Sequence, residues 1–245
     1  MRRARGVAHP ARRVADSAVL VSGGLDSAVL LAELVRGGQT VQPLYIRSGL
    51  RWEGIERYWL HRFVGEISTP RVLPLVELSL PATDVYGAHW SISDDDAPGY
   101  DAPLDCNYLP GRNLLLLTKA AVFCAQQGIS TVALAVLRDN PFGDGTPTFF
   151  RRLAVAAQIA LAVPFTISSP FRRLSKAQVI RRGTGLPLHL TFSCVQPSGR
   201  LHCGGCTKCA ERQQGFALAG TRDPTRYRAE PPSASAPRRS SMVHR

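Results

Sequence analysis

The stretch VLVSGGLDSAVLLAEL, Val19–Leu34, decides the fold. An apolar run from Ala18 to Val21 is cut by Ser22-Gly23-Gly24. From Ser27 to Arg36 apolar residues then fall on almost every helical row, and Gly37-Gly38 stops the pattern. That is strand, tight loop, helix. Such a junction exposes backbone N–H groups at a helix start, where the helix field favours anions. Gly23 and Gly24 let the backbone turn and come close to a phosphate, and Ser22 and Ser27 offer hydroxyl donors. The loop has neither the lysine of a Walker loop nor the spacing of a dinucleotide fingerprint. It carries Asp26 instead. A carboxylate facing phosphate is repulsive unless a cation bridges the two, and Mg2+ is the simplest such cation. An ordinary glycine turn ahead of a helix is the plainer reading of these residues.

Outward from this stretch, strands and helices alternate. Val41–Ile46 reads as a second strand, Trp52–Ile67 as a helix, and Arg71–Leu75 as a third strand. Residues 79–111, with Asp94-Asp95-Asp96 and several prolines and glycines, read as a long surface excursion of the kind that serves a substrate site. Asn113 to Gln127 reads as a helix, Thr131–Val136 as a strand, and Thr148–Leu161 as a helix. Phe165-Thr166-Ile167 reads as a short strand. Ser175 is placed to cap a helix running to Arg182. This alternation predicts a mostly parallel α/β sheet. The chain divides into a basic N-terminal extension (1–16), the α/β domain (17–185), a cysteine-bearing helical unit (186–221), and a Pro-, Ser- and Arg-rich tail (222–245) whose composition predicts disorder.

The net charge of +12 is concentrated at the ends. Residues 1–16 and residues 222–245 each carry a surplus of +4, which leaves +4 for everything between. A mildly basic body without an aromatic-basic stripe argues against stable nucleic-acid binding, and against a zinc module whose business is RNA. The first sixteen residues lack the apolar run of a secretory signal. No segment reaches the roughly 18 continuous apolar residues that span a bilayer; Leu153–Phe165 is broken by Gln158 and Pro164. The expectation is a cytoplasmic protein without membrane contact.

In CVQPSGRLHCGGCTKC, Cys194, Cys203, Cys206 and Cys209 follow one another at spacings of nine, three and three. Four thiolates so close in sequence form a tetrahedral site readily, and Gly204-Gly205 lets the chain wrap around it. One structural Zn2+ is the first choice. An iron–sulfur cluster and four separately buried cysteines are the other readings, and His202 reads as a bystander to a complete shell.

Ser-Gly-Gly-Leu-Asp-Ser between strand and helix resembles the pyrophosphate-binding loop of the N-type ATP pyrophosphatases. The cysteine arrangement, followed by Glu211-Arg212 and Phe216, resembles the C-terminal end of the 7-cyano-7-deazaguanine synthase family within that superfamily. Tyr108-Leu109-Pro110-Gly111-Arg112-Asn113 and Leu174-Ser175-Lys176-Ala177 are similar to two further segments of that family, in its order, and the likeness spans roughly residues 18–220. The resemblance implies a Rossmann-like parallel sheet of the adenine nucleotide alpha hydrolase type with a small C-terminal zinc-binding unit. It also implies a ligase that uses ATP and ammonia to convert 7-carboxy-7-deazaguanine into the 7-cyano compound, releasing AMP and pyrophosphate. On that reading Val21, Ser22, Gly23, Gly24, Leu25, Asp26 and Ser27 hold pyrophosphate, and Asp26 orients the Mg2+ that accompanies ATP. Lys176 neutralises phosphate charge, and Arg112 and Asn113 meet nucleotide or substrate. Family members resemble homodimers. The plainer readings are a solvated helix lysine for Lys176, and a surface charge with a helix cap for Arg112 and Asn113.

Three segments depart from the family. Leu25 stands where the family commonly has Gln. Tyr45-Ile46-Arg47-Ser48-Gly49 replaces a Tyr-Gly-Gln-type segment. Leu137–Pro147 replaces a Tyr-Pro-Asp-Cys-Arg segment, leaving Asp139, Asp144 and Phe142 as groups able to meet a guanine-like ring. These differences keep open a related enzyme that activates another carboxylate or couples a deazapurine acid to another amine. A tRNA-thiolating enzyme is a further alternative, for which Cys106 is the only suitable thiol outside the metal shell.

Overall fold

The computed structural model describes residues 14–93 and 97–229. Asp94–Asp96, most of the N-terminal extension and residues 230–245 lie outside that range. Five parallel strands, β1 (Ser17–Leu20), β2 (Val41–Arg47), β3 (Val76–Ser79), β4 (Thr131–Ala133) and β5 (Thr166–Ser168), form one sheet in the order β3-β2-β1-β4-β5. The order reverses after β3. The chain winds outward from β1 through β2 to β3, then returns to the other side of β1 for β4 and β5. Right-handed crossovers in opposite directions put their helices on opposite faces, and the crevice above the β1/β4 boundary is where such sheets bind ligands.

Strand residues alternate between two cores in step with the pleat. Val19, Val21, Val41 and Tyr45 pack with α1 (Leu25–Arg36), α2 (Glu53–Glu66), α6 (Lys176–Arg182) and α7 (Thr207–Ala219). Ala18, Leu44, Ile46 and Val132 pack with α4 (Arg112–Gln127) and α5 (Pro147–Leu161). α6 opens as expected: the Ser175 hydroxyl accepts from the Gln178 N–H, and the Gln178 side chain accepts from the Ser175 N–H.

The third strand differs from expectation. Arg71–Leu73 touches β2 only through a bridge between Val72 and Val41, and regular pairing starts at Val76 opposite Leu44. Pro74 has no N–H to give to a ladder, so the chain slips by one residue around it. The long excursion contains a short helix, α3 (Thr83–Tyr86), and returns against the cysteine unit, where the Thr207 N–H donates to the Pro98 carbonyl at 3.1 Å.

The C-terminal tail also begins later than its composition suggests. Arg212 on α7 is fully buried and needs acceptors on every side. Thr191 Oγ1 and the Leu188 carbonyl accept from it at 2.9 Å each, Thr225 Oγ1 accepts at 2.5 Å, and Asp223 stands 3.9 Å away. The Arg228 N–H then donates to the His202 carbonyl at 2.8 Å. Residues 222–229 are thus an ordered strap over the cysteine unit. Replacing Asp223 by Ala and Thr225 by Val together leaves the guanidinium half-paired, and should cost about 3 kcal/mol of stability, measured by urea denaturation of the full chain.

Candidate functional site

A cleft of about 440 Å³ opens at the carboxyl ends of β1, β2 and β4. Its floor is the loop after β1. Gly23 adopts φ +72°, and a Cβ there would stand 2.9 Å from the Glu56 carbonyl oxygen, so only glycine lets this turn press against α2. The Ser22 N–H donates to Ser27 Oγ at 3.1 Å, and the Ser27 hydroxyl donates to the Gly24 carbonyl at 3.1 Å. No side chain caps the start of α1, so its first N–H groups are free to meet an anion. Val21, Ser22, Gly24, Leu25, Asp26, Ser27, Arg112, Asn113 and Lys176 all line this cleft. Gly23 shapes the loop from behind.

Lys176 reaches the loop from α6. Its ammonium is 2.6 Å from Asp26 Oδ2 and 2.9 Å from Glu211 Oε1, and Glu211 also pairs with Lys208. Burial works against the Lys176 charge, but Asp26 and then Glu211 outweigh it and hold the pKa above the usual lysine value. Burial likewise opposes the Glu211 charge, and Lys176 and Lys208 reverse that, holding its pKa well below the carboxylate range. The other Asp26 oxygen, Oδ1, is buried without a hydrogen-bond partner.

The opposite wall carries groups that the sequence reading passed over. Glu56 on α2 is buried; the Tyr45 hydroxyl donates to its Oε2 at 3.0 Å, and the Trp52 indole N–H donates to its Oε1 at 3.1 Å. Burial pushes its pKa up to about 7, against the opposing pull of Arg112 and the two donors. Glu53, one turn earlier, accepts from the Gly49 N–H at 2.8 Å and pairs with Arg47 at 2.9 Å. Arg112 faces this wall from α4, and its Nε is buried without a partner. The Trp90 ring, from the excursion, stacks on Trp52 at 5.6 Å. Glu53 and Glu56 sit among the charges of an ordinary amphipathic helix in sequence, and nothing in that pattern separates a buried acid from a solvated one.

The departing loop after β4 is partly occupied with itself. Asp144 accepts from the Asn113 N–H at 2.9 Å, and the Asn113 amide donates to its carbonyl at 3.2 Å. Those bonds fasten the start of α4 and take Asp144 away from the cleft. Asp139, Asn140 and Phe142 do line it. Phe142 stacks on Tyr108 at 4.8 Å. Cys106 is exposed and is not among the lining residues.

Beside the cleft, the Sγ atoms of Cys194, Cys203, Cys206 and Cys209 all lie within 4.8 Å of one another. Separations of 3.9, 3.8 and 3.5 Å within the group approach the ~3.8 Å between ligands of a tetrahedral thiolate site. Backbone N–H groups of Gln196 and Cys203 donate to Cys194 Sγ at 3.3 Å each. The cluster can hold a metal ion. His202 is not part of it: its Nε2 accepts from the Ser193 N–H at 3.2 Å, and burial followed by the nearby Arg212 charge pushes its pKa down to about 3.

Comparison with known proteins adds a family to this geometry. The family model described as "Queuosine biosynthesis protein QueC" matches residues 16–220. The chain belongs to the QueC family. Proteins named 7-cyano-7-deazaguanine synthase are similar over most of their length: that of Erythrobacter litoralis is 32% identical over 88% of this chain and 94% of its own. That of Anaeromyxobacter dehalogenans is 34% identical over 85% and 94%, respectively. A solved structure titled a predicted subunit of tRNA methyltransferase, from Methanocaldococcus jannaschii, aligns with TM-score 0.44 and 16% identity over 68% of this chain and 74% of that one. The QueC match runs from β1 through the cysteine cluster and covers both sides of the cleft. Among the described residues no helix is long and apolar enough to cross a membrane.

The Glu56 environment gives a stability prediction for this QueC family chain. Its folded pKa, about 7, lies above the ordinary 4.5. The protonated form is therefore the one the fold favours; its stabilising effect is complete below about pH 4.5 and disappears as the pH rises through 7. Glu56→Gln stays neutral throughout, so its stability relative to wild type should improve by up to about 3 kcal/mol between pH 5 and pH 8, read from urea melts at the two values.

Proposed function

We propose that this chain is an ATP-dependent carbon–nitrogen ligase that converts 7-carboxy-7-deazaguanine and ammonia into 7-cyano-7-deazaguanine, releasing AMP and pyrophosphate. The observation that carries the reading is the pairing of the glycine loop with Lys176 in one cleft of a chain of this family. A carboxylate does not react with ammonia at neutral pH, whereas its mixed anhydride with AMP does. Adenylation, displacement of AMP by the amine, and a second activation that removes water from the amide together give the nitrile. Such chemistry asks the protein chiefly to align the pieces and to stabilise charge developing on phosphorus and carbon.

In this reading the backbone of the loop from Ser22 to Ser27 holds pyrophosphate, and Lys176 turns from its two acids toward the phosphates. Arg112 meets the nucleotide or the substrate carboxylate, and Asn113 steadies the start of α4. Mg2+ fits the loop because Asp26 Oδ1 is a buried carboxylate oxygen without a partner, the hard donor this cation takes. When bound, Mg2+ would screen the phosphate charge from Asp26. The four cysteines suit one structural Zn2+, since a complete thiolate shell leaves no open position for catalysis. None of the six cysteines is joined in a disulfide, which suits a reducing cytoplasm. A homodimer, with no stable nucleic-acid partner, completes the proposal.

The decisive assay incubates the full chain with ATP, Mg2+, ammonium and 7-carboxy-7-deazaguanine and follows the products by mass. Formation of the 7-cyano compound together with AMP is the expected result. AMP released only with another acid or another amine would replace the proposed substrate, and no AMP under either condition would overturn the activity. Metal analysis should find one zinc per chain and no visible iron–sulfur absorption; iron in stoichiometric amount would reassign the cluster.

A further inference from the structure

We propose that Glu56 accepts the proton that the amine gives up when it attacks the adenylated substrate. The role presupposes the synthase activity proposed for this chain and adds to it a proton acceptor.

The placement rests on three contacts. The Glu56 carbonyl lies directly behind Gly23, so the residue is locked to the phosphate loop. Glu56 lines the same cleft as Asp26, Lys176 and Arg112. Each of its oxygens accepts one hydrogen bond, Oε2 from Tyr45 and Oε1 from Trp52. A carboxylate oxygen has two lone-pair directions, so each keeps one for a further donor. Rotation is fixed by the two existing bonds, which come from β2 and from the start of α2.

The electrostatic setting suits a proton acceptor at neutral pH. Burial raises the Glu56 pKa to about 7, Arg112 from α4 and the hydrogen bonds from Tyr45 and Trp52 pull it down, and neighbouring Glu53 pushes it up. Tyr45 itself is held protonated, by burial first and then by Glu56, so it stays a donor. A base whose pKa lies near the working pH transfers protons efficiently in both directions. The other acids at the cleft are engaged differently: Asp26 and Glu211 hold Lys176, Glu53 holds Arg47 and the Gly49 N–H, and the exposed Asp139 pairs with Arg138.

The amine nitrogen forms a bond to the acyl carbon. The bond from that carbon to the AMP oxygen breaks, and AMP leaves with the electron pair. One amine proton passes to a Glu56 oxygen and is released to solvent before the next turnover.

The test separates activation from amination. In Glu56→Gln, exchange of labelled pyrophosphate into ATP, which needs only adenylation of 7-carboxy-7-deazaguanine, should stay within about threefold of wild type. Amide formation from ammonia should fall roughly 100-fold, while hydroxamate formation from hydroxylamine, a stronger nucleophile whose attack depends less on a base, should fall less than about tenfold. Tyr45→Phe provides a second reading in which Glu56 is kept. Losing that donor raises the Glu56 pKa further, so the acid limb of the amination profile should move to higher pH while that of exchange stays in place. Equal losses of exchange and amination in Glu56→Gln, undiminished amination, or an unmoved limb in Tyr45→Phe would each overturn the role. Absence of exchange in wild type would overturn the synthase reading itself, and the proton acceptor with it.

Discussion

The ammonium of Lys176 joins three helices that the chain makes far apart in sequence. It lies on α6 and is shared by Asp26 of α1 and Glu211 of α7, at 2.6 and 2.9 Å. Taking three charges out of water is costly unless the geometry is good and the remaining hydrogen-bonding positions are filled. Here Lys208 takes up the other Glu211 oxygen, and the alternation of acid and base runs Asp26, Lys176, Glu211, Lys208. The packing around it is equally specific. A Cβ on Gly215 of α7 would stand 2.6 Å from Lys176 Cγ and 2.8 Å from Ile180 Cδ1. The absence of a side chain there lets α7 approach α6 closely, and that approach brings Glu211 to the lysine. The glycine loop is thereby tied to the C-terminal unit by charge as well as by apolar packing.

That tie gives the cysteine cluster a bearing on the cleft although it stands outside it. Cys206 is the residue before α7, and Cys209 lies in the first helical turn. Lys208 and Glu211 lie beside them on the same helix and line the cleft. Whatever fixes the four sulfurs therefore fixes the direction in which α7 presents its charged residues. The strap at 222–229 works toward the same end from outside. Its Asp223 and Thr225 satisfy Arg212, which in turn holds Thr191 and the Leu188 carbonyl in the segment leading to Cys194. The cluster, the buried arginine and the strap form one mechanical unit behind the lysine.

Much of this was legible in the sequence, for physical reasons that also explain the rest. Val19–Leu34 announces strand, loop and helix because glycine, serine and periodic apolar residues act locally. The cysteine spacings announce their cluster because metal sites constrain ligands at short range. The parallel sheet follows from alternation, although regular pairing of β3 lies C-terminal to the Arg71–Leu75 that apolar content picks out. Proline at position 74 interrupts pairing in a way that apolar content alone does not register, and the ladder resumes at Val76. Long-range burial was the less legible part. Glu56 and Arg212 look like surface charges on helices until the strand, strap and loops that surround them are known. Residues 222–229 have the composition of a loose tail and are ordered by acceptors they supply to a single arginine. Asn113 and Asp144 each looked free for a ligand, and the fold pairs them with each other.

The departures from the family fall unevenly around the cleft. Leu25 is almost entirely buried and belongs to the core shared by α1, α2, α6 and α7, so its identity is constrained mainly by packing. Arg47 to Gly49 is organised by Glu53, which takes both the Arg47 side chain and the Gly49 N–H. Leu137–Pro147 is organised by Asp144, which accepts from Asn113 at the start of α4, and by Phe142 against Tyr108. None of these changes disturbs the internal hydrogen bonds of the glycine loop or the Lys176 pairs. Phosphate chemistry depends on backbone N–H groups and a few charges held at fixed distances, which tolerate little variation. Recognition of a planar ring depends on one aromatic wall and a few acceptors, which different loops can supply. Of the altered segments, Leu137–Pro147 reaches the excursion, where Phe142 stacks on Tyr108. The departing loop thus packs a ring against a segment that is itself similar to the family's, so the change at Leu137–Pro147 is accommodated next to an unaltered Tyr108.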